Sequence, residues 1–160
     1  MQKISPCLWF DGQAEEAANF YVSVFKNSRI NDVSRYGDAA AAASGRPKGS
    51  VMTVTFTLDG EDFMALNGGP EFKFTEAVSF MVTCQTQEEV DTFWSKLSQG
   101  GEEGPCGWLK DKFGLSWQVV PLVLEEMLAD KDPARLERVM QAMLQMQKLD
   151  IGSLQAAYRG

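Results

Sequence analysis

A chain of 160 residues with 15 basic and 22 acidic side chains carries a net charge of −7, and 44% of it is hydrophobic. This is the balance of an ordinary globular protein, sized for one compact domain or two small modules sharing a core, and its acidity repels phosphate backbones and so argues against nucleic-acid binding. Histidine is absent, which removes Ser-His-Asp and Cys-His nucleophiles and every His-containing zinc, iron or copper site made by this chain alone. Any proton transfer falls to Asp, Glu, Lys, Tyr or Cys.

In chain order, residues 4–10 read as a short buried strand, and Asp11-Gly12 as a turn. Residues 13–25 have helical periodicity, with Ala14, Ala17, Ala18, Tyr21 and Phe25 on one side and Glu15, Glu16 in the first turn, where negative charge suits the helix dipole. Residues 28–36 form a second expected strand. Residues 37–49 are an alanine- and glycine-rich excursion with room for one short helical turn. Residues 50–58 alternate as a strand, Asp59-Gly60 makes a hairpin turn, and the chain returns through residues 63–67 to Gly68-Gly69-Pro70.

The pattern then restarts. Residues 78–84 read as a strand, 86–97 as a helix closed by Gly100-Gly101, and 103–105 as a short strand. Residues 108–110 and 115–120 make a hairpin around Asp111-Lys112-Phe113-Gly114, a type I turn signature. The two helices match at a constant offset of 73, Glu15 with Glu88, Phe20 with Phe93 and Tyr21 with Trp94. Coincidence between two amphipathic helices is the bland account, and an internal duplication the sharper one. Beyond Pro121 the pattern turns helical, with a second tail helix from Asp132-Pro133 and a third ending near Tyr158. In the second, Leu136, Val139, Met140, Met143, Leu144 and Met146 form a stripe, either a plastic binding surface or a packing face.

No apolar run approaches the ~20 residues that span a bilayer. The first six residues show no leader-like apolar stretch, so a cytoplasmic location is expected. The cysteines Cys7, Cys84 and Cys106 lack CxxC spacing and read as reduced thiols. Cys106, in the Pro-Cys-Gly loop, is the candidate reactive one.

The segments LWFDGQAEEAANFYVSVF, SVMTVTFTLDGEDFMALNGGP and CGWLKDKFGLSWQVVP resemble PhnB-like members of the vicinal-oxygen-chelate (glyoxalase/bleomycin-resistance) superfamily, the group named 3-demethylubiquinone-9 3-methyltransferase. The resemblance runs from about residue 3 to 121. It implies an α+β fold of two βαβββ modules, at residues 1–70 and 77–121, with a C-terminal helical extension over 122–160. It also implies a homodimer, and metal ligands in relatives on the first and last strands of each module. Those positions fall here at Pro6, at Ala65 or Asn67, at Ser79 and at Gln118, which implies that no metal is bound. The methyltransferase name lacks the Gly-rich turn of an S-adenosylmethionine fold, so no cofactor is expected.

Strand parity counted from Pro6 makes Leu8 and Phe10 the pocket-lining residues of the first module, with Asn67. In the second it selects Ser79, Met81, Thr83, Ser116 and Gln118, while Trp117 lies under the helices. Trp108 and Lys110 either stack on and pair with a ligand or serve as sheet packing and solvated charge. Arg46 and Lys48 are candidates for a lid over an anion, or a solvated loop. The expected function is a metal-free, dimeric small-molecule binder whose ligand is a small hydrophobic metabolite. Its rivals are a metal-independent isomerase or lyase acting on a carbonyl compound, and a dimerisation module with a vestigial pocket.

Overall fold

The computed structural model describes residues 1–160, which form two compact units, Met1–Lys73 and Phe74–Gly160. The first contains β1 (Cys7–Phe10), α1 (Ala14–Val24), β2 (Arg29–Arg35), α2 (Asp38–Ser44), β3 (Val51–Leu58) and β4 (Glu61–Asn67). Its sheet has the order β1-β4-β3-β2, with β1 parallel to β4 and the other pairs antiparallel. Helix α1 is buried along Ala14, Ala17, Ala18, Tyr21 and Val24. The three alanines bring its backbone close to the sheet, and Tyr21 stacks on Phe56 with centroids 6.3 Å apart. Asp59 and Gly60 both have positive φ (46° and 87°), the conformation that a two-residue hairpin of this twist requires. The alanine run extends the expected single turn into α2, because alanine has the highest helix propensity, and Gly45 ends it at φ 72°.

The second unit repeats the design with β5 (Ser79–Cys84), α3 (Gln87–Ser98), β6 (Glu102–Glu103), β7 (Trp108–Lys110) and β8 (Ser116–Pro121), in the order β5-β8-β7-β6. The fold is therefore α+β, built from two βαβββ modules. Helix α3 opens on a reciprocal cap: the N-cap Thr86 Oγ1 accepts from Glu89 N–H, and the Glu89 carboxylate reaches back past Thr86 to accept from Gln85 N–H at 2.7 Å.

The tail forms α4 (Leu122–Leu128), α5 (Pro133–Leu144) and α6 (Ile151–Arg159) around a core of Val120, Leu124, Met127, Val139, Leu149 and Leu154. The methionine stripe divides. Val139 is buried and Met143 and Met146 pack on that core, while Met140 and Leu144 stay 37% and 57% exposed.

Asp130 ties this tail together. Its carboxylate accepts from the Tyr158 hydroxyl and from Arg135, and its acidity is held at about 2 by the Tyr158 hydrogen bond first, then by the Asp132 amide and Arg135. A carboxyl whose folded value lies below its unfolded one, near 3.9, stabilises the fold above about pH 4 and loses that contribution as pH falls toward 2. Proteolysis of α6 is therefore expected to rise over that window and to be displaced in Asp130→Asn. A variant with the parent's acid profile would remove Asp130 from the fastening.

Candidate ligand site on the second sheet

In each unit one sheet face packs on the helix and the other is turned away. Side chains of registered neighbours share a face, so the pairing fixes which residues lie where. In the first unit, Phe56 contacts Tyr21 of α1, and Asn67 Oδ1 accepts from Ala14 N–H at 2.8 Å. Both mark the helix face. Leu8 pairs with Ala65 and Phe10 with Asn67, so all four sit there, and Leu8 and Phe10 are buried. This corrects the parity counted from Pro6. The residues turned away are Cys7 and Trp9, with Met64, Leu66, Thr53 and Thr55.

The cause is a one-residue difference between strand and helix. Phe80 and Val82 share their face with Trp117 and Val119 and lie under α3, as Leu8 and Phe10 lie under α1. The strands therefore correspond at an offset of 72, while the helices correspond at 73. A slip of one residue reverses every side chain in a strand.

In the second unit the face away from the helix is as expected. The helix side is marked by Trp94 Nε1, which donates to Glu103 Oε1 at 2.9 Å, and by the Phe80–Trp117 contact at 5.6 Å. On the other side the register aligns Glu102, Lys110, Ser116 and Ser79 in one row across all four strands. Trp108, Gln118 and Met81 form the next row. Gln118 Nε2 donates to Ser79 Oγ at 3.0 Å.

A hollow of about 210 Å³ opens over this face, lined by Trp108, Lys110 and Ser116 with Glu76 and Glu102. Lys110 Nζ lies 2.6 Å from Glu76 Oε1. That hydrogen bond and the attraction behind it raise the Lys110 ammonium above its ordinary range and lower the Glu76 carboxyl below its own. The pair therefore stays charged across the neutral range. Ser116 is 1% exposed, and its Oγ has no hydrogen-bond partner. A buried hydroxyl without a partner is costly to keep.

Sequence reasoning missed Glu76 and Glu102. Glu76 lies outside any helix or strand, where periodicity carries no signal. Glu102 belongs to a two-residue strand, and its opposite-charge register with Lys110 was the only cue. The remaining candidates are occupied. Arg46 Nη1 reaches Asp11 at 3.4 Å, and Lys48 holds Asp38 at 2.7 Å. The Cys84 thiol is pushed up to about 12, by burial first and by Glu89 second, and burial also raises Cys7. Cys106 Sγ lies 3.6 Å from Met143 O. A larger hollow of about 290 Å³ in the tail, beside Val123, Met127 and Tyr158, exposes no buried polar atom without a partner.

The family described as 3-demethylubiquinone-9 3-methyltransferase matches residues 2–120. This chain belongs to that family. A PhnB protein from Bacillus cereus carrying the same methyltransferase description is 42% identical, covers 75% of this chain and 99% of its own, and superposes with a TM-score of 0.65. Protein PA1353 from Pseudomonas aeruginosa is 20% identical over 76% of this chain and 98% of its own, with a TM-score of 0.61. The fosfomycin resistance protein FosX from Listeria monocytogenes, solved with Mn(II) and sulfate, is 17% identical over 80% of this chain and 97% of its own, with a TM-score of 0.54. These last two share the fold, that of the vicinal-oxygen-chelate superfamily. No curated protein matches the chain.

The Listeria FosX structure holds Mn(II), and the donors at the corresponding strand positions decide whether such an ion fits this chain. With parity corrected, the positions turned away from the helices are Cys7 and Met64 or Leu66 in the first module, and Ser79 and Gln118 in the second. They supply a single thiol, a thioether or hydrocarbon, and a hydroxyl and amide already bonded to each other. No group of three or more Cys, Asp or Glu side chains is arranged to hold a cation. The donors do not fit a divalent metal.

The 3-demethylubiquinone-9 3-methyltransferase description implies S-adenosylmethionine, and that fit fails as well. Each sheet has a single parallel pair, and Gly68-Gly69-Pro70 leads into a turn rather than a helix.

Proposed function

We propose that the chain is a metal-independent small-molecule-binding protein, acting as a homodimer, with its ligand on the face of the second sheet turned away from α3. The observation that carries this is Ser116: a buried hydroxyl without a partner, at the floor of a hollow beside an indole ring. A ligand would complete its hydrogen bonding. The homodimer reading is supported by Val78 and Met81, 64% and 56% exposed, which leave apolar surface uncovered in a single chain. The opposite shifts of Lys110 and Glu76 weigh against an isomerase or lyase, since a general base works best near the operating pH. No helix is long and apolar enough to cross a membrane.

The test is thermal melting against a panel of small metabolites, for the parent and Ser116→Ala. Removing an unpartnered hydroxyl should leave the ligand-free melting temperature unchanged or raise it. A ligand at a hundred times its Kd should stabilise the parent by about 2.7 kcal/mol, or roughly 5–10 °C, and stabilise the variant less. A panel with no hit, together with a clear loss of stability in Ser116→Ala, would return the hydroxyl to a packing role. Sedimentation as a monomer at micromolar concentration would remove the dimer.

A further inference from the structure

We infer that the hollow on the second sheet takes an organic cation, a small amine bearing an aromatic or alkyl group, and rejects carboxylates and phosphates; this rests on the reading of that face as a ligand site. Glu76 and Glu102 line the hollow against the single ammonium of Lys110, so one negative charge is in excess. Lys110 is already held at 2.6 Å by Glu76 and faces Glu102 across the strand pair. It has little attraction left for an anion.

The backbone around the hollow offers an oxyanion no better reception. Gly104 N–H goes to Trp108 O, and Trp108 N–H goes to Pro105 O. Ser116 Oγ has lone pairs that accept from an ammonium, and the half-buried Trp108 supplies a ring over which a cation is attracted. A space of about 210 Å³ is roughly seven water volumes, below the ~300 Å³ of a drug-sized pocket. The ligand is correspondingly small.

The experiment is titration of the full-length protein with 2-phenylethylamine, 2-phenylethanol and phenylacetate, followed by amide and indole NMR shifts at Trp108 and Ser116. The amine should bind about fivefold more tightly than the alcohol, and phenylacetate should not bind. Glu102→Gln should weaken the amine alone. Glu76→Gln, which releases Lys110, should allow phenylacetate to bind. Glu76 and Glu102 are exposed, so both variants should keep the parent melting temperature.

If the alcohol or the carboxylate binds at Trp108 and Ser116 as tightly as the amine, the charge class is overturned and the ligand site stands. If the amine binds but shifts other residues, and Glu102→Gln changes nothing, both the class and the site fall. No binding of the amine at tens of millimolar overturns the class, and the site is then judged by the metabolite panel.

Discussion

Asp111→Ala is expected to be the most damaging single substitution in the second unit, costing about 4 kcal/mol in chemical denaturation. Asp111 is 2% exposed. Its Oδ1 accepts from Phe113 N–H at 2.9 Å and Leu115 N–H at 3.1 Å, and its Oδ2 from Trp117 Nε1 at 2.9 Å. Alanine would leave the Trp117 indole N–H and the turn amides without a charged acceptor inside the fold, and each such loss costs about 1–3 kcal/mol. Asp111→Asn keeps one acceptor oxygen but sets an amide N–H against a remaining donor, so roughly half the cost should return. The effect reaches the site, because Trp117 lies between Ser116 and Gln118 on β8 and fixes which way they point. The alanine variant should therefore lose ligand response together with stability. A variant within about 1 kcal/mol of the parent would show that the turn holds without its carboxylate.

The hairpins and the helices were legible because they rest on local chemistry. Asp59-Gly60 and the Asp111 to Gly114 turn impose their own geometry, and the Ala14, Ala17, Ala18, Tyr21 stripe admits one buried face. The second sheet was legible for the same reason, since alternation grouped Ser79, Met81, Ser116 and Gln118 on one face, where the register also puts them. The first sheet was misread through its junction with α1. The strands repeat at an offset of 72 and the helices at 73, and nothing in the residues of that junction marks the difference of one position. Glu76 escaped for another reason. It meets Lys110 only through tertiary approach, 34 positions away in the chain.

The misread strand also produced the candidate whose removal should matter most in the first unit. Asn67→Ala is expected to cost about 2–3 kcal/mol, through the helix start and the sheet rather than through a ligand. Gln13 precedes α1 without a side-chain cap of its own, and Asn67 performs that task from β4, accepting from Ala14 N–H at 2.8 Å. Its Nδ2 donates to Val51 O at 3.1 Å, while the Tyr36 hydroxyl donates to its backbone carbonyl, a bond that alanine keeps. Asn67 is 4% exposed, so no solvent replaces the lost partners. Asn67→Asp separates the two side-chain roles. The carboxylate keeps the cap, and its charge suits the positive end of α1. It turns a second acceptor toward Val51 O, however, so about half the loss should remain. Amide exchange at Ala14 reports the first role and exchange along β3 the second. Should Asn67→Ala weaken a ligand while exchange at both places stays unchanged, Asn67 would belong to a binding surface and the assignment of the first sheet's faces would be wrong.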